Sequence, residues 1–135
     1  MIYDDIMEIK DYDLSHLYLG QSHITGAGKG VFTKIDISKD QTVEKACIVK
    51  IPVKNTDDTP LSDYVFSNPY NKRENFVVFG YGSMYNHSDD PSIHYYYDKD
   101  KKCMVYEALR DIKAGEELYI SYGSKWWKGR NIEKQ

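Results

Sequence analysis

Apolar residues fall in short runs along this chain, each stopped by glycine, proline or a polar turn. The longest run, Val43–Val53, is β-branched and ends at Pro52, which predicts one long strand or a pair of strands. Ile93–Tyr97 and Lys102–Leu109 flank the polar turn Asp98–Lys101 and predict an antiparallel pair. Phe76–Gly82 predicts a strand broken by glycines, and Leu118–Tyr122 a strand behind the turn Ala114–Glu117. His23–Phe32 reads as strand, glycine turn, strand, and 34–43 as an alternating stretch followed by a turn. Leu61–Phe66 fits a short helix or a strand, between the polar loops 54–60 and 68–75. Residues 1–20 show no clear period and read as a flexible or docking arm. Many short strands with frequent turns predict a mainly β domain of small sheets.

A chain of 135 residues suits one domain with a real core. Its hydrophobic fraction of 41% and charged fraction of 29% are those of a globular protein. The aromatic fraction is 14%, with 13 tyrosines against 4 phenylalanines and 2 tryptophans, which suits strands and also polar-edged pockets. A net charge of −3 argues against direct nucleic-acid binding and is compatible with a basic peptide partner. No run approaches a membrane span of ~20 apolar residues, and the first ten residues are unlike a signal peptide, so an intracellular protein without membrane contact is expected. Cys47 and Cys103 form no CxxC pair and read as buried free thiols.

Four features could carry chemistry. Gly26-Ala27-Gly28-Lys29-Gly30 allows positive φ and close approach of a ligand to backbone, or is a plain glycine-rich hairpin. A dinucleotide fingerprint would need a helix next, where Val31-Phe32-Thr33 reads as strand. In Tyr85-Asn86-His87-Ser88, Asn and Ser could simply cap a turn, with His87 a hydrogen-bonded structural histidine. Asn86 is the better functional candidate, because a buried amide needs several partners at once. His87, Asp89, Asp90 and His94 match no standard ligand spacing, so no metal is expected. Tyr122 is either core or a hydroxyl aimed into a pocket, and Trp126-Trp127 either core or a cap on a ligand or partner.

Taken in order, these segments resemble the SET-domain lysine methyltransferases. Gly28-Lys29-Gly30-Val31-Phe32 is similar to the family's Gly-x-Gly-Val-Phe turn, and Tyr85–Ser88 to the end of its Arg-Phe-Ile-Asn-His-Ser motif. Gly115-Glu116-Glu117-Leu118-Tyr119-Ile120-Ser121-Tyr122-Gly123 is similar to its Gly-Glu-Glu-Leu motif ending in Tyr-Gly. The likeness covers residues 22–128, which predicts an arm at 1–21, a SET domain at 22–128 and a tail at 129–135. The length and Asp63-Tyr64-Val65-Phe66-Ser67 most resemble the small SET proteins of large DNA viruses.

The resemblance implies a β-clip of several small sheets with a knot-like C-terminal threading. It implies S-adenosylmethionine as cofactor, held by Ala27, Gly28, Lys29, Gly30, Tyr64, Asn86, His87 and Trp126. Tyr122 matches the catalytic tyrosine, and Ile120, Tyr85 and Trp127 join it in lining a substrate channel. Ile120 stands where the family uses Tyr to restrict, or Phe to permit, multiple methylation, so di- or trimethylation is expected. The expected partner is a lysine-containing protein, a histone H3 tail above others, met in the nucleus (of a host cell for a viral member). A homodimer is also expected from small members of the family. A non-histone target, or a catalytically inactive SET-fold binding module, are the rival readings. Ser83-Met84-Tyr85 departs from Arg-Phe-Ile, and no cysteine cluster follows Tyr122 to build a zinc module.

Overall fold

The computed structural model describes residues 12–123. Among the described residues nine strands are laid out in two sheets. They are β1 (Leu17–Gln21), β2 (Lys29–Thr33), β3 (Thr42–Pro52), β4 (Phe66–Ser67), β5 (Glu74–Val78), β6 (Asn86–His87), β7 (Ile93–Asp98), β8 (Cys103–Ala108) and β9 (Glu117–Ile120). The first sheet has the order β1-β2-β9-β6 and the second β4-β5-β3-β8-β7. The mainly β architecture expected from the short apolar runs is therefore present.

Val43–Val53 is one strand, not two. β3 is 11 residues long and pairs antiparallel with β8 through its first half and with β5 through its second. Its register shifts between Thr42 and Glu44. Strict alternation would send neighbouring side chains to opposite faces, yet Val43 and Glu44 are both buried. A bulge re-aims side chains in this way, and here it turns a carboxylate into the core.

Two expectations are corrected. The strand before the glycine turn is Leu17–Gln21, inside the segment read as an arm, and residues 22–28 form the loop. β1 pairs with β2 from Leu17↔Thr33 to Gln21↔Lys29, because Leu17 has a core position to fill. Cys47 is exposed on β3, whereas Cys103 opposite is buried, so only one of the two thiols is sealed. Leu61–Phe66 resolves into a 3₁₀ turn at Pro60–Asp63 followed by β4.

The core between the sheets is built from Val31, Ile37, Val43, Phe76, Tyr85, Ile93, Tyr106, Ile112 and Leu118. β9 lies between β2, with which it is antiparallel, and β6, with which it is parallel. The last strand of the described chain thus passes between two earlier segments. That placement brings the Gly-Glu-Glu segment against Asn86-His87.

Candidate active site

The glycine turn is shaped by two left-handed residues, Gly26 (φ +81°) and Gly28 (φ +75°), where a side chain would be strained. Ser22 N–H closes the loop on the Gly28 carbonyl at 2.8 Å. Gly30 has a different constraint. A Cβ there would lie 2.1 Å from Glu117 Oε2, so the missing side chain is the space the carboxylate occupies.

Glu117 is 4% exposed. Its oxygens accept from His23 N–H (2.8 Å), Tyr119 Oη–H (2.8 Å), Ser22 Oγ–H (2.8 Å to Oε2) and Asn86 Nδ2–H (3.1 Å). Burial raises its pKa, but these four donors together outweigh that and hold it below the usual carboxylate value. Asn86 gives a second Nδ2–H to the Lys29 carbonyl at 3.0 Å. One carboxylate therefore ties the loop after β1, the start of β2, β6 and β9 together.

Tyr122 sits beyond the end of β9. Its hydroxyl donates to the Tyr85 carbonyl at 3.0 Å, and its backbone N–H donates to His87 Nδ1 at 2.9 Å. Nδ1 must carry the lone pair, so Nε2 carries the proton and donates to Asp89 Oδ1 at 2.9 Å. Burial, with Tyr64 nearby, pushes the Tyr122 hydroxyl up to about 12. It is a neutral phenol across the physiological range.

Tyr85 is among the residues lining the cavity at this site, with its side chain turned into the core. It is 1% exposed, stacks on Tyr106 at 5.0 Å and donates its hydroxyl to Glu44 Oε1 at 2.7 Å. It serves the site through its carbonyl. Glu44, 2% exposed, also accepts Tyr81 N–H at 2.9 Å. Burial pushes Glu44 up to about 7 against the lowering effect of these bonds.

A cavity of about 850 Å³ joins these groups. Ala27, Lys29 and Asn86 form one wall, Asp63–Ser67 another, and Tyr85, Ile120 and Tyr122 the inner end. Tyr64, half exposed, projects from the end of the 3₁₀ turn. Gly28, Gly30 and His87 are not on the lining; they shape the turn, admit Glu117 and hold Tyr122. Trp126 and Trp127 lie outside the described residues. Among the described residues no three His, Cys, Asp or Glu side chains converge as a metal site, and no helix is long and apolar enough to cross a membrane.

Sequence reasoning gave Glu44 no part and Glu117 no role of its own. A single carboxylate in a strand looks like any solvent-facing position. The only local signal for Glu117 was its place in a recurring motif; for Glu44 there was none.

The SET domain family model matches residues 28–123, from the glycine turn to the residue after Tyr122. The chain belongs to the SET family. It is a protein-lysine methyltransferase of that family. A histone-lysine N-methyltransferase of Schizosaccharomyces pombe, specific for H3 lysine 37, is 29% identical over 104 residues, covering 74% of this chain and 69% of that one. A Plasmodium falciparum protein assigned as a histone methyltransferase superposes with a TM-score of 0.66 at 30% identity, covering 88% of this chain and 99% of that one. The fold also recurs in ctPRC2 bound to S-adenosylmethionine, with a TM-score of 0.67 at 24% identity, covering 85% of this chain and 17% of that one. Within the SET fold, β9 beside β6 is the arrangement that unites the two motifs read from the sequence.

Proposed function

We propose that this SET protein uses S-adenosylmethionine to methylate a lysine of a histone H3 tail. One observation carries the reading: the Tyr122 hydroxyl, held on the Tyr85 carbonyl, lies in the same cavity as Asn86 and the glycine turn. The S. pombe relative's specificity for H3 supports the choice of substrate. Chromatin in the nucleus would then be the place of action.

The residues present fit the cofactor. Asn86 spends both Nδ2 hydrogens on Lys29 and Glu117, so Oδ1 is the atom it offers to a ligand's ammonium. Ala27 lines the cavity and spends its N–H on the Ile24 carbonyl at 3.1 Å, so its carbonyl is the backbone group that would meet the ligand. Tyr64 supplies an aromatic wall, and 850 Å³ accommodates a nucleoside with an amino-acid arm beside a lysine side chain. When bound, the cofactor supplies an electrophilic methyl on a sulfonium.

The protein's part is then alignment and desolvation. A lysine amine has a pKa near ~10.4 in water and must be neutral to attack. Entry into a narrow aromatic passage disfavours the ammonium. Tyr122 donates its hydrogen to Tyr85, and its oxygen would accept an amine N–H. That contact would aim the amine's own lone pair along the cavity, and such alignment supplies a large share of barrier reduction. Ile120, buried at the inner end, has no hydroxyl to tether the amine, which favours di- or trimethyl products.

Incubation with radiolabelled S-adenosylmethionine and mixed core histones, beside Tyr122→Phe, tests the reading. Label on H3 that falls sharply in the variant is expected. Label only on another histone, or none, would sink the H3 assignment.

A further inference from the structure

Glu117 is a buried anion beside a cavity that, on the reading above, takes a cation. All four donors to its oxygens are neutral: a backbone N–H, two hydroxyls and an amide. Among the described residues no basic side chain hydrogen-bonds or forms an ion pair with it. Donors of this kind stabilise a carboxylate without cancelling its charge. A buried charge so solvated is screened much less than one in water.

The route from this charge to the cavity is a single side chain. Asn86 Nδ2 touches Glu117 Oε2 at 3.1 Å, and Asn86 lines the cavity. An amide polarised by a carboxylate at its nitrogen end presents a more negative Oδ1 at the other, which acts alike on the ammonium of S-adenosylmethionine and of its demethylated product, whereas the field of the carboxylate itself acts in addition on a charge carried at sulfur. The same bond fixes which way round the amide sits, because a flipped Asn86 would set its oxygen against both the Lys29 carbonyl and the carboxylate.

We infer that Glu117 is a positioning residue that makes the cofactor cradle charge-selective, preferring S-adenosylmethionine to S-adenosylhomocysteine. The inference rests on the proposed cofactor. The two ligands share the nucleoside, ammonium and carboxylate, and differ by a methyl and one positive charge on sulfur. Methyl transfer removes that charge. The attraction therefore acts on the incoming ligand and is withdrawn from the spent one, which aids its release.

The test is calorimetric binding of S-adenosylmethionine and S-adenosylhomocysteine to the native protein and to Glu117→Gln. Native protein should prefer the charged ligand by about tenfold or more, the scale of one unit charge at several ångströms in a partly polar medium. In Glu117→Gln the ratio should fall towards one, with the larger loss on S-adenosylmethionine. Tyr119→Phe, which removes a donor and keeps the carboxylate, should retain the ratio and provides a folded comparison should the glutamine variant unfold. Native protein binding both ligands equally would overturn the inference, as would equal losses for both in Glu117→Gln. Native protein binding neither would overturn the cofactor reading and this inference together.

Discussion

His87 Nδ1 accepts the backbone N–H of Tyr122 at 2.9 Å, and the two rings lie 5.2 Å apart. The histidine side chain is thus a bracket on the chain that carries the phenol. Its Nε2–H is fixed by Asp89, which sets the tautomer that the Tyr122 bond requires. His87→Ala should leave an unpaired N–H and a small void, destabilising the fold by about 1–3 kcal/mol. It should lower kcat about tenfold while leaving the Kd for S-adenosylmethionine within about threefold. Chemical denaturation and steady-state kinetics check both effects.

Tyr122→Phe should cost at least about 10²-fold in kcat and about 1 kcal/mol in stability, since one hydrogen bond to the Tyr85 carbonyl is lost. With its hydroxyl pushed up to about 12, Tyr122 cannot titrate near neutrality. The rate should therefore rise from pH 7 to pH 9 as the substrate amine loses its proton, with no fall attributable to Tyr122 in that range. A descending limb below pH 9 in native protein, absent in Tyr122→Phe, would contradict this.

Glu44 gives the fold its own pH dependence. Its pKa is raised from 4.5 to about 7, so the protonated form is the one the folded state prefers. The associated stability is fully present below the unfolded value and is lost as pH rises through about 7. The loss amounts to about 3 kcal/mol. Glu44→Gln should flatten the pH 5–8 dependence of urea unfolding. Tyr85 can reverse its hydroxyl to accept from the new amide, so the variant should fold.

Gly30→Ala should be far more costly than Gly28→Ala is to packing. The new methyl would collide with Glu117 and approach Asn86 Nδ2 to 3.1 Å, whereas at Gly28 nothing lies within 4 Å and only the φ of +75° is at stake. Displacing the carboxylate should destabilise by about 2 kcal/mol or more and abolish S-adenosylmethionine binding. Thermal unfolding with and without the ligand measures both.

Ile120→Tyr would place a hydroxyl at the inner end of the cavity beside Tyr122. Mass spectrometry of exhaustively treated H3 peptide should show di- or trimethyl product for the native enzyme and chiefly monomethyl product for the variant. Monomethyl product alone from the native enzyme would remove the role given to Ile120.

What could be read in advance followed the local physics of each segment. The β7–β8 hairpin and the run of β3 are announced by β-branched and aromatic residues around polar turns, and both are present. β1 was missed because Leu17-Tyr18-Leu19-Gly20-Gln21 is too short to show a period, and its reason to be extended is the distant partner β2. Asn86 and Tyr122 stood out through the motifs that hold them. The reasons they work, Glu117 behind Asn86 and His87 beneath Tyr122, are contacts between residues far apart in sequence. Tyr85 was placed by its position next to Asn86, but the side chain answers to Glu44, which a bulge turned inward. No one-dimensional pattern carries a bulge's effect on a carboxylate.

The parallel pairing of two-residue β6 with β9 also fixes when the site can exist during folding. β7 with β8 and β3 with β5 pair from nearby segments, and β3 with β8 from segments farther apart, but all of them precede β9 in the chain. The cradle needs β9 to settle between β6 and β2, and its pairing with β2 is the most distant strand pairing among the described residues. A nascent chain that has not yet emerged past Glu117 holds the five-stranded sheet's segments but neither the carboxylate nor the phenol. Competence to bind and to methylate should consequently arrive last, in one step, with the late docking of a four-residue strand.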